Sequence, residues 1–487
     1  MANAAVSRPV GSESGSGAAP NKWVVLFTIV IMAFMSALDS SIVNVALPAM
    51  QRELSAGASE IQWVSSAYML VSCAAVLVFG RLGDMYGKVR FFRFGVAVFT
   101  FGSLLCGLST TLHMLVIARV VQGVGSAAAL ATNMGIATEA FPTSERGRAL
   151  GIITTFVSLG LMCGPTVGGL LVSVYPWESI FLINAPVGVV AFALTLKTLP
   201  RDVVNSQGER LDVPGAVCIF SAILLLFLAL TGVTEGLTPG IAGLFAASAA
   251  LFCVFVMVER KVEHPLVKVE LFREAELSLN LVAMFLCFVA VGATEYLLPF
   301  YLQDACGYPS GVAGVVLTTM PAAMAVVSLV AGGLSDRIGC VIPSVAGCAV
   351  YALGIVLVGA LPADAGIPLI VGMMTVMSAG TGMFQSPNNS LVMGAVDREY
   401  LGFAGSMVSL ARYMGMSAGV TGSTALLYGR MSAIAGRTVQ TVGEGGADLF
   451  LQGYSFTFFV LAGLVVAAMA FTLLALAVKR RQCMPAA

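Results

Sequence analysis

Four charged side chains stand inside long apolar stretches of this sequence, where a charge is costly to bury. Asp39 and Glu295 are acids, and Arg119 and Arg412 are permanently charged bases. Insertion scales give about 2.5–3.5 kcal/mol for such a residue at the centre of a membrane helix, and burial disfavours the charged form of a carboxyl group. A buried acid can therefore change its charge with the supply of protons, which is the chemistry of a proton carrier.

Each of these residues also has a purely structural interpretation. Asp39 could be bonded to Ser, Asn or another helix, and Arg119 could be its buried partner within the N-terminal half. Glu295, if it lies deep, is a second proton site or a counter-charge for a cationic substrate. Asp304 follows nine residues later, so Glu295 could instead lie near the outer surface. Arg412 either pairs with Glu295 or lies near the end of its helix.

Polar and methionine side chains in the same stretches are candidates for contact with a substrate. Gln122 follows Arg119 by three residues and shares its helix face. Met-rich surfaces suit promiscuous binding, although each Met taken singly is more often apolar filler. The candidate substrate-pathway residues are Asn44, Gln122, Met377, Met383, Gln385 and Arg412. For Asn44, a structural hydrogen bond to a neighbouring helix is an equal alternative.

The composition sets the class of protein that must position these side chains. Of the 487 residues, 58% are hydrophobic and 10% are charged, and the net charge is zero. A soluble domain has about 25% charged residues. The composition therefore excludes a soluble enzyme, a nucleic-acid binder and a disulfide-stapled secreted domain. Long apolar runs exclude a transmembrane barrel, whose strands alternate in polarity. An all-α polytopic membrane protein is left.

Fourteen apolar segments approach the roughly twenty residues that a membrane-spanning helix needs. They lie at about 23–47, 61–80, 94–109, 113–138, 149–174, 179–199, 213–231, 240–258, 278–302, 311–334, 341–361, 367–392, 402–428 and 454–478. Residues 1–22 and 479–487 are predicted to be cytoplasmic tails, the first of them disordered, and Pro48 is predicted to end the first span.

The positions of Lys and Arg predict the orientation in the membrane. With fourteen spans, twenty of the 25 Lys and Arg residues fall on the side that carries both termini, and three fall on the other side. Cytoplasmic loops carry the excess of positive charge. Both termini are therefore predicted to be cytoplasmic, in the inner (cytoplasmic) membrane of the cell.

An internal repeat divides the chain. GRLGDMYG at 80–87 reappears as GGLSDRIG at 332–339, each in a loop just after a span. The copies are eight spans apart, which predicts a six-helix half at 23–199, two inserted helices with their loops at 200–277, and a second six-helix half at 278–478. Repeated halves of this kind are typical of transporters. The candidate conformational residues in the repeat are Gly80, Asp84, Gly87, Lys88, Asp336 and Gly339.

A second motif, G-x-x-x-G-P-x-x-G-G, lies on the fifth span at 160–169. Small residues four apart make a flat face for close helix packing, and Pro165 can kink the helix. The candidate residues are Gly164, Pro165, Gly168 and Gly169. Ordinary tight packing of the helix is the alternative to a conformational role.

Five segments taken together resemble the major facilitator superfamily, and more narrowly its fourteen-helix drug:proton antiporter family of the EmrB/QacA type. They are LDSSIVNVALP at 38–48, GRLGDMYGKVR at 80–90, RVVQGVGSA at 119–127, GLMCGPTVGG at 160–169 and FQSPNNS at 384–390. The resemblance implies a major facilitator fold. It also implies roles for Asp39 in proton-coupled transport, for Arg119 in proton transfer or substrate positioning, and for the 160–169 motif as a hinge and seal found in exporters.

The sequence shows no other source of energy or catalysis. It has no phosphate-binding G-x-x-x-x-G-K-[ST] motif, and its two His residues have no Cys or His neighbours at metal-ligand spacing. We therefore expect no enzyme activity, no cofactor and no metal. An ion gradient would therefore have to drive transport. The buried acids are suited to binding protons, and they do not exclude coupling to Na⁺.

We expect the bilayer, protons and a small-molecule substrate as partners, no nucleic acid, and a periplasmic adaptor if the host has two membranes. The predicted function is export of lipophilic drugs or toxic compounds. The alternatives are a narrow exporter of a secondary metabolite or siderophore, an importer, and a non-transporting membrane sensor.

Overall fold

The computed structural model describes residues 21–142, 145–200, 202, 213–232, 238–260, 269–396, 401–439 and 441–483. Across these ranges the regular secondary structure is helical. Most of the predicted N-terminal tail lies outside the described residues. The predicted C-terminal tail is helical as far as Cys483, because the last helix continues beyond the apolar span.

The first part of the chain forms eight helices, two of them a single turn long. They are α1 (Lys22–Glu53), α2 (Ala58–Ile61), α3 (Trp63–Tyr86), α4 (Lys88–Gly107), α5 (Leu112–Ala140), α6 (Arg146–Val174), α7 (Ser179–Leu182) and α8 (Asn184–Thr198). The predicted sixth span is thus divided between α7 and α8. Pro48 lies inside α1, which continues to Glu53, so the prediction that it ends the span was wrong. Proline is tolerated within membrane helices because neighbouring groups satisfy the freed carbonyl.

The remainder of the described chain adds eight helices, each of them much longer than the single-turn helices α2 and α7. They are α9 (Val213–Gly232), α10 (Pro239–Glu259), α11 (Ala275–Phe300), α12 (Ser310–Ile338), α13 (Val341–Gly359), α14 (Ile367–Gly394), α15 (Leu401–Ala435) and α16 (Val442–Cys483). A 3₁₀ turn at Val269–Arg273 precedes α11, and a π-helical turn at Tyr301–Ala305 follows it. Within the described part, eleven helical segments are long and apolar enough to cross a membrane. The protein is therefore an all-α polytopic membrane protein, and the fourteen-span count stays a prediction.

The same packing pattern occurs twice. In the first set, α1 packs on α6 and α8, and α5 packs on α3 and α4; in the second, α11 packs on α15 and α16, and α14 packs on α12 and α13. The two sets meet where α6 contacts α12 and where α3 contacts α15, while α9 packs on α10 and also contacts α3 and α15. The division at 23–199, 200–277 and 278–478 stays a prediction, and this pattern supports it.

Glycine allows the closest helix pairs in both sets. A Cβ atom on Gly125 of α5 would overlap the backbone of Phe99 in α4. A Cβ atom on Gly380 of α14 would likewise overlap the backbone of Tyr351 in α13. Both pairs need bare backbone at the contact, which glycine provides.

Candidate functional site

Asp39 and Arg119 form a buried ion pair in the N-terminal set of helices. Arg119 Nη1 donates to Asp39 Oδ2 at 2.6 Å, and the side chains of Asp39 and Arg119 are 0% and 1% exposed. The Nε atom of Arg119 donates to the carbonyl of Val64 at 2.8 Å. The pair therefore joins α1 to α5 and α3, and each charge is compensated in a region without water contact.

Two amide side chains complete the environment of Asp39. Gln122 Nε2 and Asn184 Nδ2 each donate to Asp39 Oδ1 at 2.8 Å. Gln122 also accepts from Arg119 Nη1 at 2.5 Å and donates to Ser103 Oγ at 2.8 Å. The carboxylate thus accepts three hydrogen bonds from α5 and α8. Protonation of Asp39 would remove the counter-charge of Arg119.

The planar guanidinium of Arg119 also stacks on an aromatic ring. Its Cζ atom lies 4.2 Å from the centroid of the Tyr68 ring and 5.6 Å from that of Phe181. Such cation–π contacts suit a delocalised cation. The Arg side chain is held on one side by hydrogen bonds and on its faces by rings, so its position depends on its shape as well as on its charge.

A central cavity lies between the two sets of helices, and the Asp39–Arg119 pair is not part of its lining. Residues of α1, α6, α11, α12, α13 and α14 line it, and its empty space, including the open mouth, is about 690 Å³. Glu295 is the charged side chain in this lining. The structure thus places Glu295 deep in the molecule, in the cavity between the halves, and not near the outer surface.

The predicted substrate-pathway residues divide into two groups. Asn44 and Met377 line the cavity. Gln122 belongs to the Asp39 network, and Met383 and Gln385 are half-buried on α14 without lining the cavity in the described part of the chain. Arg412 acts electrostatically on Glu295, but its guanidinium lies over the Phe288 ring, 5.0 Å from the centroid.

The glycine motif of α6 has two faces. Gly160, Gly164 and Gly168 face α1, where added Cβ atoms would overlap Phe34 O, Ser41 Oγ and Ile42 O. Small residues on this face let α1 and α6 approach within one half of the molecule.

The other face of α6 packs on α12, in the opposite half. A Cβ atom on Gly169 would overlap Ser310 O, and one on Gly314 would overlap Pro165 O. The hydroxyl groups of Thr166 and Thr318 also hydrogen-bond at 2.5 Å. One short motif therefore packs tightly inside its own half and at the junction between the halves.

Further contacts join the halves at the end of the molecule where α1 and α6 finish and α12 begins, which we call the closed end. Gln303 Nε2 in the π-helical turn donates to the carbonyl of Val45 in α1 at 2.9 Å. Arg52 Nη1 donates to Asp304 Oδ1 at 2.6 Å. These bonds link α1 to the segment that follows α11.

The prediction that the two copies of the repeat lie in loops was wrong, because the first copy ends α3 at Tyr86 and the second ends α12 at Ile338. The turn after the first copy is fixed by a residue that the sequence analysis did not single out. Gly87 has φ +112°, and a Cβ atom there would overlap the side chain of Asp202. The Asp202 carboxylate accepts from the backbone N–H groups of Val89 and Arg90 at 2.7 and 2.9 Å. Asp202 therefore caps α4, which begins at Lys88, before the predicted third span.

The other predicted residues of the repeat have different surroundings. Lys88 forms an ion pair with Glu139 at 2.7 Å, and a Cβ atom on Gly80 would meet no atom within 4 Å. Gly339 ends α12 with φ +83°. The side chains of Asp84 and Asp336 lie outside the described residues, so their predicted capping or pairing stays a prediction.

Four functional candidates were missed by reasoning from the sequence: Asn184, Tyr351, Ser378 and Asp202. Asn184 carried a usable signal, because it is an amide within an apolar span. Tyr351 and Ser378 carried none, since a Tyr or Ser in a membrane helix is common. Asp202 lies in a loop, where acidic residues are common, so nothing in the sequence indicated its contacts with α4.

Comparisons with known proteins identify the family. The profile of the Major Facilitator Superfamily matches residues 29–420. The riboflavin transporter RibZ of Clostridioides difficile (strain 630) is 35% identical over 398 residues, which cover 82% of this chain and 86% of RibZ. The multidrug resistance protein Stp of Mycobacterium tuberculosis (strain CDC 1551 / Oshkosh) is 33% identical over 403 residues, which cover 82% of this chain and 75% of Stp.

A solved structure shows the same fold. It is a bacterial homolog of the human lysosomal transporter Spinster in an inward-facing and unoccupied conformation, similar with a TM-score of 0.67 at 16% identity, over 94% of this chain and 98% of that one. The helix packing, the profile match and relatives above 30% identity lead to one conclusion: the chain is a multi-pass membrane transporter that belongs to the Major Facilitator Superfamily.

Proposed function

We propose that the protein is a proton-coupled exporter that moves lipophilic drugs or toxic compounds out across the cytoplasmic membrane. The observation that carries this proposal is the separation of two sites. An acid, Asp39, is buried with Arg119 inside one half, and an apolar cavity lies between the halves. A proton site and a substrate site that are distinct but share α1 can exchange one cargo for the other.

The coupling step in this proposal is protonation of Asp39. A neutral Asp39 leaves Arg119 without its counter-charge, and Val64 O and Gln122 Oε1 are then its remaining hydrogen-bond acceptors. Since α1 carries Asp39 and also lines the cavity with Asn44, a rearrangement around Asp39 reaches the substrate site along one helix. Glu295 is proposed as a second acid of the transport pathway.

In this proposal the cavity opens to the two sides of the membrane in turn, and the contacts at the closed end control the outward opening. With both termini in the cytoplasm, as the Lys and Arg distribution predicts, the closed end faces outside, and the cavity would load from the cytoplasmic side. Parting of α6 from α12 would then release the substrate outward. A periplasmic adaptor, if the host has two membranes, would act at this end.

The narrow-range alternative has an observation in its favour, because RibZ is named as a transporter of one vitamin. Stp, named for multidrug resistance, and the glycine motif of α6 favour a broad exporter. A non-transporting sensor has no comparable support, since both relatives are named for transport or resistance.

The experiment uses everted membrane vesicles with an acid-inside gradient. Accumulation of cationic dyes, of uncharged and acidic antibiotics and of riboflavin is followed with and without a protonophore, and with a Na⁺ gradient that is high inside the vesicle in place of the proton gradient. We expect protonophore-sensitive accumulation of several unrelated compounds. Accumulation of riboflavin alone, or of no compound by folded protein, would contradict a multidrug exporter, and accumulation driven only by Na⁺ would contradict proton coupling.

A further inference from the structure

We propose that a groove on the outside of the helix bundle, between α3 and α4, binds one anionic phospholipid, with Arg90 holding the headgroup phosphate. Four residues line the groove: Tyr86, which ends α3, and Arg90, Phe91 and Phe94 of α4. Its empty space, including the open side, is about 720 Å³. The groove shares no lining residue with the central cavity, so this inference does not depend on what the protein transports.

The floor of the groove is a packed aromatic surface. Phe79 of α3 packs on Phe91 and Phe94 of α4, with ring centroids 5.9 and 6.0 Å apart. Phe94 and Tyr86 nevertheless remain 44% and 53% exposed. The rings hold one another in place and leave an apolar surface that an acyl chain can cover.

The Arg90 side chain is available to a ligand, in contrast to the basic residues on either side of it. Lys88 Nζ pairs with Glu139 at 2.7 Å, and Arg93 Nη2 donates to the carbonyl of Thr195 at 3.0 Å. The exposed guanidinium of Arg90 has no hydrogen-bond or ion-pair partner within the described part of the chain. A guanidinium with open donors can bind a phosphate through two parallel hydrogen bonds.

The N-terminus of α4 is not the anion site, because it already has its own acid. The Asp202 carboxylate accepts from the backbone N–H groups of Val89 and Arg90 at 2.7 and 2.9 Å. This cap fixes the first turn of α4, and with it the backbone from which the Arg90 side chain extends. The charge that a phosphate would meet in the groove is therefore the guanidinium of Arg90.

The order of the lining residues along α4 matches the depth of a phospholipid. The membrane-crossing segment of α4 begins at Lys88, so Arg90 lies at the level of the headgroups. Phe94 is four residues further along the helix, about 6 Å deeper at 1.5 Å per residue. A phosphate bound to Arg90 would therefore lead its acyl chains over the rings of Phe91 and Phe94.

The chemistry of the groove favours a lipid over a soluble anion. A free phosphate could meet the charge of Arg90 but would leave the exposed rings of Tyr86 and Phe94 uncovered. A phospholipid satisfies both parts of the groove. With the orientation that the Lys and Arg distribution predicts, the groove faces the cytoplasmic leaflet, whose anionic lipids attract basic side chains near the surface.

The test is native mass spectrometry of the full-length protein in detergent, titrated with phosphatidylglycerol or with phosphatidylcholine. The first phosphatidylglycerol should bind about fivefold more tightly than phosphatidylcholine. Arg90→Gln should remove this preference, and Arg90→Lys, which keeps the charge, should retain part of it. Phe94→Ala should weaken binding of both lipids, because it removes part of the groove floor. Arg90 and Phe94 are exposed, so the variants should melt at the wild-type temperature.

The matched control is Arg260→Gln, which removes an exposed positive charge at the end of α10, on the side predicted to be cytoplasmic. It should leave the lipid preference unchanged. Glycerol 3-phosphate carries the phosphate without acyl chains and should not displace phosphatidylglycerol. An unchanged preference in Arg90→Gln would overturn the inference, as would an equal loss in Arg260→Gln. Displacement by glycerol 3-phosphate would show a site for soluble anions instead of a lipid site.

Discussion

The Arg119 guanidinium lies 2.6 Å from the Asp39 carboxylate, and both side chains are sealed from the cavity that Glu295 lines. The buried pair is therefore not arranged to touch a substrate directly. We propose that the pair responds to protons and transmits the response through the helices it joins, and that Glu295 acts in the transport pathway.

Replacing Asp39 by Asn should abolish uphill transport driven by a proton gradient. The same change leaves Arg119 as an uncompensated buried charge, and breaking a buried pair in this way costs about 3–5 kcal/mol of stability. The double variant Asp39→Asn/Arg119→Gln should recover much of this stability and still fail to pump. Thermal melting of the purified variants and vesicle uptake, normalised to protein abundance, check both points. Uphill pumping by Asp39→Asn would show that Asp39 is not the coupling acid.

Arg119→Lys should be nearly as impaired in coupling as Arg119→Ala. Arg119 donates to Val64 O, Asp39 and Gln122 and stacks on Tyr68, and a compact ammonium cannot reproduce this planar arrangement. We expect the coupled rate of Arg119→Lys to fall by about tenfold or more. Initial rates in proteoliposomes with an imposed pH gradient measure the effect. A rate close to wild type would instead mean that positive charge alone is sufficient.

The sequence offered the pairing of Asp39 with Arg119 as one structural interpretation, because two opposite charges in apolar helices need partners, and the structure contains this pair. It did not predict Asn184 as the third donor, since the broken sixth span that presents this amide has no clear sequence signal. The depth of Glu295 was left open for a similar reason: the residue lies in an apolar run whose register in the membrane depends on how neighbouring helices pack. The long apolar segments predicted the helices themselves, whereas the structure was needed to show which helices pack together.

Gly314→Ala should push the two halves apart at the closed end. The added methyl group would overlap the carbonyl oxygen of Pro165, and overpacking of this kind costs about 1–3 kcal/mol. Spin labels at Tyr175→Cys and Asp364→Cys, both exposed near this end, should report longer distances. The control is Gly311→Ala on the same helix, where the nearest atom, Ser173 Oγ, would lie 3.6 Å away. Unchanged distances in Gly314→Ala would exclude this contact as a seal.

Gly87→Ala should destabilise the protein, whereas Gly80→Ala in the same motif should not. Position 87 has φ +112°, which disfavours any residue with a Cβ atom by about 1–3 kcal/mol, and the methyl group would displace Asp202 from the start of α4. At position 80 the space around a Cβ atom is open. Melting temperatures of the two purified variants provide the comparison. Equal melting temperatures would mean that Asp202 does not depend on Gly87 for its position.

The contact between Gly169 and Gly314 sets how readily the conformational equilibrium can shift. Two glycines present no interlocking side chains, so separation at this contact disrupts no side-chain packing between the two residues. Polar contacts such as the Thr166–Thr318 hydrogen bond contribute only about 0.5–1.5 kcal/mol each. A difference of about 5.5 kcal/mol moves a two-state population from 1:99 to 99:1. A contact of bare backbone with one polar bond therefore adds little to the free energy that separates the two states at this point of the junction.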